Sequence, residues 1–353
     1  MDLLTLETTY LPHLRGQFSN GSAILFLGAG FSLGTRSRAG RDVPSAAALS
    51  KALWALSFGN DPYDPSTQLQ DIFETAQSRK PKELALLLRE HFTIDPKSYR
   101  PWHTELLTMP WLRIYTLNID DLALKALSET TETRPVRAVS ALTGNAPIFD
   151  DGRLSIIHLN GMLEDGPLNV TFSRSQYAQR RGVDPAYVQL NNDLLFRPVV
   201  FVGTGMEEGP LWEHLEMRGH RPGRIQRELR PRSYLVTPSL NKSKEALLSR
   251  YNVVWLPMTG EEFNEKVLNK IPESRSSGQR ALKSMTSSAG TVQERFTKVT
   301  ELSSHDVATE EYLLGAEPTW ADITSNKVAT RDCFDELWGI ISEHRRARPE
   351  SNY

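Results

Sequence analysis

One cysteine, Cys333, stands in a chain of 353 residues. No internal disulfide can form, and no zinc ribbon of four cysteines can be built. Long apolar runs are also missing, since no stretch approaches the roughly 20 residues that a membrane-spanning helix requires. The start, Met1-Asp2-Leu3-Leu4-Thr5-Leu6-Glu7, has no basic opening followed by an apolar run, so the expected location is cytoplasmic, without a membrane partner. Neither sign of charge dominates: 41 Lys and Arg against 43 Asp and Glu leave a net charge of -2, which argues against a surface wholly devoted to nucleic acid. Hydrophobic residues at 39% and charged residues at 24% match ordinary globular proteins and not disordered ones. The length suits one large α/β domain with an appendage, or two ordinary domains.

What is present is a series of short apolar runs: Ala23 to Leu27, Trp111 to Thr116, Leu154 to His158, Pro198 to Gly203, Ser233 to Thr237 and Val253 to Leu256. These read as buried strands. Between them lie segments with apolar residues at three- and four-residue spacing: Ala46 to Phe58, Pro81 to His91, Ile119 to Leu127, Pro185 to Phe196, Leu240 to Arg250 and Glu261 to Ile271. Strands alternating with helices predict a Rossmann-like, doubly wound, mostly parallel α/β sheet. The span from about 44 to 110 holds helical patterns and no convincing strand, so it is expected as a helical insertion within a domain covering 1–271. Residues 272–300 are polar and poor in large apolar side chains, which predicts a linker. Residues 301–353 are expected to form a small helical C-terminal segment, with short amphipathic patterns at Glu310 to Leu314 and Cys333 to Ile341; no internal repeat is apparent.

Four segments carry chemistry. The first strand runs into Gly28-Ala29-Gly30-Phe31-Ser32, where glycines allow backbone to approach a pyrophosphate and free N–H groups can cradle its oxygens. The spacing of Gly28, Gly30 and Gly34 is not that of a dehydrogenase fingerprint, and a plain strand-ending turn explains the loop about as well. The strand after Trp111 ends in Thr116-Leu117-Asn118-Ile119-Asp120, placing an amide and a carboxylate at a strand tip, where helix capping is the simpler account. The next ends in His158-Leu159-Asn160-Gly161, with a side chain suited to proton transfer near neutral pH. The fourth is Val199-Val200-Phe201-Val202-Gly203-Thr204-Gly205, a buried strand released into a small polar loop.

In this order the four segments resemble the sirtuin, or silent information regulator, family of NAD-dependent proteins. Gly28 to Ser32 matches its Gly-Ala-Gly-x-Ser loop, and Thr116 to Asp120 matches its Thr-Gln-Asn-Ile-Asp motif with Leu117 in place of glutamine. His158 to Gly161 is an opened histidine-glycine element, and Gly203-Thr204-Gly205 stands for the late Gly-Thr-Ser loop. The family's Gly-Ile-Pro segment has its nearest equivalent in Asp42-Val43-Pro44-Ser45. The cysteine-bearing zinc module of the deacylases is missing, and the sequence looks more like the bacterial sirtuin-like NAD hydrolases of abortive anti-phage defence. The resemblance implies NAD as substrate and no metal. It implies Asn118, His158 and Asp120 as catalytic residues. His158 would accept a hydrogen bond or proton from a ribose hydroxyl, Asn118 would orient the ribose and the attacking water, and Asp120 would bind the nicotinamide amide. Gly28, Ala29, Gly30, Ser32, Pro44, Thr116, Asn118, Asp120, Gly203, Thr204 and Gly205 would hold the dinucleotide.

Several readings stay open beside this one. The chain could be a sensor module that binds NAD or ADP-ribose without turnover, an ADP-ribosyl transferase or deacylase, or, least well supported by the loop spacing, a dehydrogenase. A homo-oligomer and an activating sensor or ATPase domain or partner are expected. The tail from Leu313 to Ile323 resembles the connector that joins effector domains to signalling ATPases. Arginines at 218, 221, 224, 227, 230 and 232 form a basic segment that reads as a solvated loop, with nucleic acid, an acidic partner or NAD phosphates as alternatives.

Overall fold

Apolar runs of four or five residues form strands buried on both faces, as a covered parallel sheet requires. The structure is a computed structural model; it describes residues 6–130, 134–142, 153–173, 176–177, 184–206 and 231–287. The chain divides into two units, Met1–Ser287 and Ser288–Tyr353, and the described residues all lie in the first. The strands are β1 (Ile24–Leu27), β2 (Ile114–Thr116), β3 (Val136–Ser140), β4 (Leu154–His158), β5 (Val199–Val202), β6 (Ser233–Val236) and β7 (Val253–Leu256). They pair in the order β3-β4-β2-β1-β5-β6-β7, and every pairing is parallel. The sheet is thus the doubly wound α/β arrangement expected. β3 was absent from the expected strands because its five residues, Val-Arg-Ala-Val-Ser, are mostly half-buried at an edge and form no solid apolar run.

Alternation along each strand distributes side chains between two cores. Leu25, Leu27, Val200 and Val202 join one apolar cluster, while Ile24, Phe26, Val199 and Phe201 join the other. Helices α1 (Leu11–Ser19), α2 (Ala46–Phe58), α3 (Leu69–Arg79), α4 (Pro81–Phe92) and α5 (Pro101–Leu107) precede β2. The stretch from 44 to 110 is therefore helical apart from its connections and isolated bridges at Arg36↔Asp42 and Ser37↔Ile94 beside it. Then come α6 (Leu122–Ser128), α7 (Pro185–Phe196), α8 (Lys242–Arg250), α9 (Gly260–Lys266) and α10 (Pro272–Ser287). Helix α7 is anchored beneath the sheet by buried polar contacts: Tyr115 OH donates to Asp193 Oδ2 at 2.6 Å, and Arg113 lies 3.4 Å from the same oxygen.

Residues 272–287, expected to begin the linker, instead form α10. Two of the small residues that suggested a linker, Ser274 and Gly278, lie on one face with Leu282 at four-residue spacing, and Ser274 and Leu282 are 1% and 2% exposed. A Cβ on Gly278 would stand 2.0 Å from the Phe18 carbonyl oxygen of α1 and 2.6 Å from Pro110 Cγ. Small side chains here permit close helix approach, which a sequence reading mistakes for flexibility. The rest of the expected linker, the helical patterns after it and the basic segment up to Arg230 lie outside the described residues.

Gly278→Ala is expected to destabilise the protein by about 1–3 kcal/mol, as overpacking does. Gly16→Ala, on the exposed side of α1 where a Cβ meets nothing within 4 Å, is expected to stabilise it by about 0.4–1 kcal/mol. Urea unfolding midpoints of the two variants decide; equal midpoints would refute the packing account of α10.

Candidate functional site

The sheet order places a topological switch between β1 and β5. From β1 the chain moves through β2, β3 and β4 on one side, then crosses to β5, β6 and β7 on the other. Ligands of open α/β sheets bind outside the carboxyl ends of strands at such a point. The glycine loop and the 203–205 loop both leave the sheet there.

The two loops interlock through their backbones. Gly28 N–H donates to Val202 O at 2.9 Å and Gly30 N–H to Gly203 O at 2.7 Å. A Cβ on Gly30 would stand 2.8 Å from Gly203 Cα; Gly203 has φ +74, and a Cβ on it would stand 2.3 Å from Phe31 N. Beyond Gly28 the chain enters a 3₁₀ turn, Ala29–Phe31, in which Phe31 N–H donates to Gly28 O and Ser32 N–H to Ala29 O. The expectation of free N–H groups here is corrected: those of Gly28, Gly30, Phe31 and Ser32 are already donated within the protein, because the turn and the loop contact consume them.

The same turn aims Ser32 inward. Its hydroxyl donates to Asp120 Oδ2 at 2.7 Å and accepts from Asn118 Nδ2 at 3.1 Å. Asn118 Nδ2 also donates to Gly28 O at 3.0 Å, and its backbone N–H donates to Thr116 Oγ1 at 3.0 Å. Asp120 Oδ1 accepts from Leu122 N–H at 3.1 Å, so both carboxylate oxygens have partners and the acid is tied to the first residue of α6. Burial pushes the Asp120 carboxyl up to about 6, against the lowering effect of its hydrogen bonds to Ser32 and Leu122.

His158 ends β4, beside Thr116 in the neighbouring strand. It is 1% exposed, and burial lowers its imidazole to about 4, so it is neutral at pH 7. Its Nδ1 lies 3.1 Å from Asn118 O. A carbonyl only accepts, so Nδ1 carries the proton and Nε2 presents a lone pair. Nε2 is buried without a hydrogen-bond partner. A sealed acceptor of that kind normally pairs with something. The site thus offers a neutral base fixed in one tautomer and an amide tied to the glycine loop.

Of the residues expected at the site, Gly28, Ser32, Thr116, Asn118, Asp120 and His158 form one hydrogen-bonded set, and Gly203 locks against Gly30. Thr204 is buried, its hydroxyl accepting from Met206 N–H at 2.9 Å. Gly205 O accepts from Lys244 Nζ at 3.2 Å, outside that set. Pro44 lies half-buried in the lead-in to α2, next to the capping residue Ser45.

Sequence reasoning passed over His103 and Trp102 of α5. His103 Nε2 donates to Phe31 O at 3.1 Å, its Nδ1 accepts from Arg100 N–H at 3.1 Å, and Trp102 stacks on its ring at 3.8 Å between centroids. Burial lowers His103 to about 4, so it serves as a neutral strut under the glycine loop. Its only sequence signal was a histidine shortly after a proline at a helix start. Trp102, His103, Arg100, Gly30, Gly203 and Gly260 help line a cavity of about 220 Å³, and Arg100 pairs with Glu261 at 2.6 Å beside it. Among the described residues, no cluster of three or more His, Cys, Asp or Glu is placed to hold a metal, and no helix is long and apolar enough to cross a membrane.

The two buried titrations oppose each other. His158, lowered from 6.5 to about 4, binds fewer protons folded than unfolded, so its contribution falls as the pH drops across that window. Asp120, raised from 3.8 to about 6, binds more protons folded, so its contribution falls as the pH rises across its own window. Replacing His158 by Gln should leave the Asp120 effect unopposed, so that stability between about pH 4 and 6 falls with rising pH relative to wild type. Parallel urea-denaturation curves for the two proteins across that range would refute the assignment.

Residues 112–256 match the family model described as a SIR2-like domain. That span runs from just before β2 to the end of β7 and contains Asn118, Asp120, His158 and the 203–205 loop, while the glycine loop precedes it. A solved structure described as "Structural Basis for the Mechanism and Regulation of Sir2 Enzymes" aligns with a TM-score of 0.43 at 13% identity, covering 76% of this chain and 99% of that chain. No curated protein matches the chain. Residues 112–256, which span six of the seven parallel strands, are thus similar to a SIR2-like domain.

Proposed function

We propose that this protein binds NAD across the β1–β5 crevice and hydrolyses its nicotinamide–ribose bond. Water adds at the ribose anomeric carbon as nicotinamide departs, giving ADP-ribose and a proton. A SIR2-like domain points to NAD-related enzymatic or binding function. The observation that carries the catalytic reading is the pairing of His158 with Asn118. The Asn118 carbonyl fixes the imidazole tautomer and leaves Nε2 as a neutral acceptor for a ribose hydroxyl, which raises electron density toward an oxocarbenium-like centre.

In this reading Asn118 orients the ribose and the attacking water, and Asp120 recognises the nicotinamide amide by exchanging its present bond to Ser32. His158 is buried in the structure as it stands, so substrate entry requires the side chains over it to part; hydrogen bonds of this kind often align only in the complex. Gly28, Ala29, Gly30, Ser32, Thr204 and Gly205 border the dinucleotide, and Pro44 belongs to the loop over it. The cavity beside Gly30, at about 220 Å³, is smaller than the roughly 300–1,000 Å³ of drug-sized pockets, and so suits one end of the dinucleotide. The physiological role proposed is NAD depletion as an effector of abortive anti-phage defence, in a homo-oligomer controlled by a sensor or ATPase domain or partner.

The second reading is a module that holds NAD or ADP-ribose without turnover, favoured by the internal engagement of Asp120 and Asn118 and the sealed Nε2 of His158. Nicotinamide release measured by HPLC over several protein concentrations separates the two. On the hydrolase reading, His158→Ala and Asn118→Ala each lose about 100- to 10,000-fold in rate with unchanged circular dichroism. Full activity in His158→Ala would sink it, and tight ADP-ribose binding by a wild type that releases no nicotinamide would select the binding module.

A further inference from the structure

Between His158 and Gly161 stand Leu159 and Asn160, and the loops around Asn118 converge on the second of these. Asn160 is 4% exposed. Its Nδ2 donates to Leu117 O at 2.9 Å, its Oδ1 accepts from Tyr177 OH at 3.1 Å, and its backbone carbonyl accepts from Thr171 N–H at 2.8 Å. The two carbonyls that bracket the Asn118 backbone are therefore both held by the His158–Gly161 turn, Leu117 O by Asn160 and Asn118 O by His158.

The far side of this network reaches the helical insertion. Gln77 Nε2 of α3 donates to Leu168 O at 2.7 Å, and Phe73 of α3 stacks on Phe172 with ring centroids 4.9 Å apart. The 163–173 segment that embraces Asn160 is thus itself braced against α3. A buried amide with donor and acceptor both used can take only one orientation, which makes it a rigid spacer between two loops.

We propose that Asn160 is a positioning residue for cleavage of the nicotinamide–ribose bond. It holds the 116–118 loop so that the Asn118 side chain stays on the glycine loop and the Asn118 carbonyl stays on His158, and Tyr177 locks its orientation. This role rests on the NAD-hydrolase reading. Asn160 itself need not touch substrate, so its loss should act on the chemical step more than on binding.

The test compares steady-state NAD hydrolysis by wild type, Asn160→Ala, Tyr177→Phe and the double variant, together with hydrogen exchange of the peptide spanning 116–119. Displacing a catalytic group by an ångström costs about 100-fold. Asn160→Ala is therefore expected to lose about 10- to 100-fold in kcat with KM changed less than about threefold, and Tyr177→Phe to lose less. The double variant should be no slower than Asn160→Ala, since both act on one lock. Exchange at 116–119 should rise in Asn160→Ala, and in Tyr177→Phe if the alanine variant fails to fold. A kcat within about threefold of wild type in Asn160→Ala, or an effect confined to KM, overturns the proposal. If wild type releases no nicotinamide, the hydrolase reading fails separately, and unchanged exchange at 116–119 then overturns the loop-holding role as well.

Discussion

The site depends on one backbone contact, the hydrogen bond from Gly30 N–H to Gly203 O at 2.7 Å. It ties the tip of β1 to the tip of β5 at the switch point and leaves no room for a side chain on either partner. Once that joint is made, the 3₁₀ turn after Gly28 has one course to follow. It delivers Ser32 to Asp120 and Asn118 on one side, and the Phe31 carbonyl to His103 on the other. The glycines therefore do structural service of their own, in a loop whose N–H groups at Gly28, Gly30, Phe31 and Ser32 are committed within the protein.

Burial is the second constraint, and it acts on two groups in opposite senses. Desolvation disfavours charge, so it lowers His158 and raises Asp120. The outcome is a neutral base at the end of β4 and, after β2, an acid that holds its proton more readily than an exposed one. The burial is tolerable because most of these polar atoms are paired within the protein, through Ser32, Leu122 and the Asn118 carbonyl; the buried Nε2 of His158, without a partner, is the exception.

The supports of this cluster come from distant parts of the chain. Helix α5 braces the glycine loop through His103 and Trp102, and helix α3 braces the 163–173 segment through Gln77 and Phe73. The helices between β1 and β2 thus support both the loop after β1 and the segment after β4. Their buried side chains, Leu53, Phe73, Leu84, Leu88 and Leu106 among them, join the core on the sheet face of Leu25, Leu27, Val200 and Val202.

Strands β1, β2, β4, β5, β6 and β7 were legible because each carries a short apolar run, and the candidate residues at their tips were legible because a strand end in a parallel sheet is where ligands meet functional groups. β3 was not, since an edge strand half-open to solvent needs no apolar run. α10 was not, since Ser274 and Gly278 carry the composition of a linker while serving as a close-packing face. The sequence by itself determined the alternation of strands and helices, the order of the four motifs and the placing of Asn118, Asp120 and His158 at strand tips, because those follow from local patterns of burial. Only the tertiary structure decided which N–H groups were already committed, which tautomer His158 holds and that Asn160 joins three loops, because each depends on partners tens of residues away in the chain.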